Sequence, residues 1–167
     1  APLLTGPRPH PPAWEAPSGL AAPERPLQVA EVDRLGERIP LRGRPDIWAL
    51  GEAVHSFLAA DHRDLPAAFR LEMAGECLVR WGVPQAMRSE ELLDASRALQ
   101  AWLERRWPGS AWTCELPVAH RLPSGTLRQG YADLVLQTAS GLVLVDHKTF
   151  PGGFEDAKAR ALGHAGQ

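Results

Sequence analysis

From residue 46 onward, apolar and polar positions recur with a helical period three times in succession. "DIWALGEAVHSFLAADH" sets Trp48 or Leu50, Val54, Phe57 and Leu58 on one stripe at spacings of three and four, which predicts a first amphipathic helix. "PAAFRLEMAGECLVRWG" predicts a second, with Pro66 in its first turn, Phe69, Met73 and Cys77 stacked, and a stop at Gly82. "SEELLDASRALQAWLERRW" predicts a third, capped by Ser89, aligned on Leu92, Ser96, Leu99 and Leu103, and ended by Pro108 and Gly109.

Beyond Gly109 the period falls to two. "AWTCELPVAHRL" and "TLRQGYADLVLQT" flank "PSG" as a hairpin, and "ASG" leads into a third strand, "LVLVDHKTF". "FEDAKARALGHAGQ" opens a further helix. The expected order is three helices, a three-strand meander and a helix: an α/β domain with a helical N-terminal part. Pairing Leu122 with Thr126 across the hairpin sets Glu115 opposite Asp133.

The N-terminal text is different. Ten of the 16 prolines lie within residues 1–45, and proline without a hydrophobic period builds neither a packed helix nor a central strand. The division is therefore a proline-rich linker or extended segment at 1–45 and one folded domain at 46–167, whose C-terminal end reads as cut short. Within the linker, "LQVAEVDRLGERIPLRG" is open between a short strand and a lid segment.

Composition narrows the function classes. A formal charge of -2 argues against a cation-coated binder of nucleic acid, without bearing on a local basic groove. Two cysteines are too few for a disulfide framework or a four-thiolate metal site. No window reaches the roughly 18 apolar residues of a membrane span, so the expectation is a cytoplasmic protein with no membrane partner.

The chemistry concentrates at the end of the third strand. Ideal alternation puts Asp146 and Lys148 on one face, roughly 6–7 Å apart, with room for a metal ion or a phosphoryl oxygen between them. An ordinary ion pair is the competing reading of a lone D-x-K. Asp133, set between "YA" and "LVL", is costly to bury unless it is paired, hydrogen-bonded or bound to a cation. Two such acids on neighbouring strands suit a hard divalent ion, with Glu115 a possible extra acid.

"GYADLVLQTASGLVLVDHKTF" resembles the core of the PD-(D/E)XK nucleases, and among them the RecB-like domains at the C-terminal end of UvrD-type helicase subunits, as in RecBCD and AddAB. Gly130, Asp133, Asp146, Lys148 and Thr149 match that pattern, and "LGEAVHSFLAAD" matches its early-helix motif through Gly51, His55 and Leu58. The resemblance implies an α/β fold with a restriction-endonuclease-like core, a small mixed sheet flanked by helices. It implies that His55, Asp133, Asp146 and the backbone carbonyl of His147 hold Mg²⁺ or Mn²⁺, with Lys148 as the catalytic lysine. Gln167 is the match for a substrate-contacting glutamine on the last helix. His147 stands where the family more often has Tyr, and the histidines keep zinc open as an alternative metal.

The implied activity is phosphodiester hydrolysis by a metal-dependent deoxyribonuclease, an exonuclease acting on single-stranded DNA in double-strand break repair and recombination. Its partners would be a helicase motor in the same parent chain and a second helicase-nuclease subunit; no phosphate-loop motif occurs in this sequence. The alternative is a catalytically silent nuclease-fold module that binds DNA or scaffolds a helicase complex.

Overall fold

The computed structural model describes residues 13–16 and 31–164. Its order is β1 (Trp14–Glu15), α1 (Ile47–Ala60), α2 (Ala67–Arg80), α3 (Ser89–Arg106), β2 (Ala111–Arg121), β3 (Leu127–Thr138), β4 (Gly141–Val145) and α4 (Phe154–His164). The described residues thus form a mixed α/β unit of four helices and one small mixed four-strand sheet.

Asp46 starts α1: its carboxylate accepts the amides of Trp48 at 2.9 Å and Ala49 at 3.3 Å, satisfying donors that a helix start leaves open. The helix buries Leu50, Ala53 and Phe57, while Val54 and Leu58 pack at the edge of the same core and Trp48 stays exposed. In α2 the buried face is Arg70, Ala74 and Leu78, one position beyond the expected Phe69, Met73 and Cys77; Phe69 is 51% exposed. The reason is polar. Arg70 turns inward to meet Asp61, which closes α1, through Nε at 2.6 Å and Nη2 at 2.8 Å. Ser96 of α3 adds a third bond to that carboxylate at 2.6 Å. Burial pushes the Asp61 carboxyl up, but the bonds from Arg70 and Ser96 outweigh it and hold it below the usual carboxylate range.

Pro66 immediately precedes α2, and Ser89 is the first residue of α3 instead of its cap. Glu91 reaches back to accept the Arg88 amide at 2.8 Å, which closes that end of α3. Ile39 and Leu41 pack against the helical core, so residues 31–45, which form neither helix nor strand, lie on the folded unit. They are pinned by the Arg42 guanidinium, which meets both Glu91 oxygens at 2.7 Å, and by the Trp102 indole, which donates to Asp33 at 2.8 Å.

The sheet follows the expected register. Leu122 donates to Thr126 at 2.9 Å across the hairpin loop, and β2 and β3 pair antiparallel from Arg121–Leu127 out to Ala111–Gln137. β4 returns antiparallel along β3, and β1 adds two residues parallel to β3 from within the stretch read as a proline-rich linker or extended segment. Leu134 and Leu136 of β3, with Val143 and Val145 of β4, pack on Leu99, Trp102 and Leu103 of α3. One face of the sheet is thereby fixed to the helices, and α1 is carried against β2 and β3. β4 ends at Val145, so Asp146 lies past the last ladder pair and 146–150 run irregularly into α4. Among the described residues, no helix is long and apolar enough to cross a membrane.

Candidate metal centre

Three elements converge on one point. His55 lies in the third turn of α1, on the side of the helix away from Leu50 and Phe57. Asp133 lies midway along β3, and the pairs Cys114–Leu134 and Leu116–Ala132 set Glu115 of β2 across from it. His55 Nδ1 is 3.6 Å from Asp133 Oδ2. One ligand atom from each of His55, Glu115 and Asp133 lies within 4.8 Å of the other two, a spacing that could hold a metal ion.

The backbone is bent to achieve this. Glu115 has φ +50°, the only left-handed non-glycine residue among those described, and the ladder is broken at its pairing with Asp133. Such a conformation costs about 1–3 kcal/mol and persists where surrounding structure imposes it. Partial desolvation of an otherwise exposed side chain, and then the charge of Asp133, push the Glu115 carboxyl above its usual range, with the His55 ring pulling the other way. Two carboxylates set this close are poorly balanced by protein alone: Asp133 has the His147 amide and the His55 ring beside it, while among the described residues no hydrogen bond reaches the Glu115 carboxylate.

The donor set is one imidazole nitrogen and two carboxylate oxygens. Such a set takes Mn²⁺ readily and Mg²⁺ with water completing the shell, and zinc fits it as well. All three side chains are at least partly accessible to solvent, so an ion has a way in.

Residues 146–148 are placed differently from the expectation. Asp146 stands outside the group of three. Its carboxylate accepts Lys148 Nζ at 2.5 Å, so the reaction-sized gap expected between the two is closed by a direct ion pair. The gap assumed ideal strand pleating, and the strand has already ended at Val145. For His147, the backbone N–H meets the site: it donates to Asp133 Oδ2 at 2.7 Å and ties the loop to β3. The His147 ring stands edge-to-face with His55, centroids 5.9 Å apart, and burial lowers its pKa against the pull of Asp133. It lines a cavity of about 240 Å³ with Cys114 and Leu134, whereas Lys148, Thr149 and Phe150 line a second cleft of about 800 Å³ beside α3.

The sequence thus brought His55, Asp133 and Glu115 into view, and the structure brings those three together. It leaves Asp146 and Lys148 alongside as a closed pair. Gln167 lies outside the described residues. What sequence reasoning missed is the amide of His147, since no side-chain pattern marks a backbone donor. No protein-family model matches the chain, and no curated protein matches it.

Proposed function

We propose that this chain is a metal-dependent phosphodiesterase of nucleic acid, a deoxyribonuclease of the RecB-like PD-(D/E)XK kind, acting on single-stranded DNA delivered by a helicase motor. The observation that carries the reading is the meeting of His55, Glu115 and Asp133 from a helix and two strands, next to the loop that bears Lys148. His55, Glu115 and Asp133 would hold Mg²⁺ or Mn²⁺. When bound, that ion supplies Lewis acidity toward a phosphoryl oxygen and makes a water more acidic.

The chain's own groups do the rest. The His147 amide fixes the orientation of the Asp133 carboxylate, and the His147 ring packs against His55 from the loop side. Lys148 carries the positive charge that offsets charge developing on phosphorus, once it exchanges Asp146 for a phosphate oxygen.

The closed Lys148–Asp146 pair also favours a second reading, a nuclease-fold module that binds DNA without cutting it. End-labelled single-stranded DNA incubated with Mg²⁺ or Mn²⁺ separates the two. Cleavage by the parent that disappears in Asp133→Ala and falls by about 10²–10³ in Lys148→Ala is expected; retention of the strand without cleavage selects the silent module, and equal cleavage by all three proteins removes this site from the reaction.

A further inference from the structure

Trp48 is 67% exposed in the first turn of α1, on the helix that also carries His55. They are seven positions apart. At 3.6 residues and ~5.4 Å per turn they lie on nearly the same face, about 10.5 Å apart along the axis. Between them, one turn from each, comes Gly51, and a Cβ built there meets nothing within 4 Å. The helix therefore presents an aromatic ring, a stretch of bare backbone facing open space, and then the metal cluster.

The ring is also held in place. Trp48 makes an edge contact with Trp81 beyond the end of α2, centroids 5.6 Å apart and planes at 84°. The Trp81 indole in turn donates to Ser56 Oγ at 3.0 Å, next to His55. A surface tryptophan anchored through its neighbour to the helix of the metal site loses little freedom when something stacks on it.

We infer that Trp48 is a stacking platform for a nucleobase of the single strand whose phosphate lies at the His55–Glu115–Asp133 cluster, with Gly51 leaving the path between them open. The span is about three nucleotides at the ~3.4 Å spacing of stacked bases. A base laid on an aromatic ring suits a strand of any sequence, because every base has a π-face. The assignment deepens the nuclease reading and rests on it for the position of the phosphate.

The test uses the whole chain with Ca²⁺ in place of Mg²⁺ and measures fluorescence anisotropy of a labelled oligothymidylate, and of the same oligonucleotide with abasic positions throughout. Trp48→Ala is expected to weaken binding to oligothymidylate by roughly 5- to 150-fold, the affinity equivalent of the ~1–3 kcal/mol that one stacked base contributes. Trp48→Phe is expected to recover most of that loss, and parent and Trp48→Ala should bind the abasic strand equally. Undiminished binding of oligothymidylate by Trp48→Ala overturns the assignment. An equal loss on both strands also overturns it, since the effect is then on the fold or the backbone path. Metal-dependent cleavage with no Trp48 effect would sink the platform and leave the nuclease reading standing; a base-dependent Trp48 effect with no cleavage would do the reverse.

Discussion

Replacing Glu115 by Gln removes one of two carboxylates that face each other across β2 and β3 while keeping the side chain's shape and its left-handed backbone. With ligand oxygens no more than 4.8 Å apart, the repulsion between unit charges is about 0.9 kcal/mol in water and about 3.5 kcal/mol at an effective dielectric constant of 20. Glu115 is exposed, so solvent screening puts the value near the lower figure, about 1 kcal/mol. Without metal, Glu115→Gln should therefore be more stable than the parent near neutral pH, by about 2–4 °C in Tm for a domain of this size.

The sign with pH follows from the raised carboxyl. A group whose folded pKa exceeds its unfolded value favours folding in acid and loses that contribution as pH rises through the folded pKa. The advantage of Glu115→Gln should thus be absent below about pH 4 and appear on raising the pH above the ordinary glutamate value of 4.5. Metal reverses the order. Mn²⁺ at a hundred times its Kd stabilises the parent by about 2.7 kcal/mol, and a ligand loss that weakens affinity tenfold or more leaves the variant about 1.4 kcal/mol or less. Thermal unfolding in EDTA and in Mn²⁺, at both pH values, reads all of this. A variant less stable than the parent in EDTA at neutral pH would refute the picture of two unbalanced carboxylates.

Arg70→Met strands the Asp61 carboxylate between α1 and α3 and should cost about 3–5 kcal/mol in urea unfolding; a loss under 1 kcal/mol would show that Ser96 and Gln100 suffice. Lys148→Ala frees Asp146 and removes the cation meant for the phosphate, so cleavage should fall by about 10²–10³ while Mn²⁺ binds no more weakly than in the parent. The Glu91 carboxyl, held down to about 2 chiefly by Arg42 and by the Arg88 amide, should titrate there by NMR and move up toward 4.5 in Arg42→Ala, as residues 31–45 become more open to proteolysis.

The sequence was a good guide wherever one periodicity governed an element. The stripe of α1, the Leu92–Ser96–Leu103 line of α3 and the β2–β3 register all follow from side-chain spacing, and the structure keeps them. It was a poor guide where a single long-range bond decided the outcome. An arginine in an amphipathic helix is expected outside, yet the Asp61 carboxylate draws Arg70 in and rotates the buried face of α2 by one position. The segment 31–45 has no period because it is held by isolated bonds to Glu91, Trp102 and Ala86, which leave no pattern in the local text.

The site shows the same division. Glu115 opposite Asp133 follows from pairing alone, whereas the left-handed turn at Glu115 does not. The expected separation of Asp146 from Lys148 extended strand geometry two residues too far, and the irregular chain after Val145 lets the two side chains close on each other.

Whether His55, Glu115 and Asp133 form one cation site is tested most directly by a titration of Mn²⁺ followed by electron paramagnetic resonance. Binding by the parent that is lost in His55→Ala and in Asp133→Ala, and retained in Asp146→Ala, is the predicted result. Binding that survives both substitutions, or a parent that takes up no Mn²⁺, would contradict it.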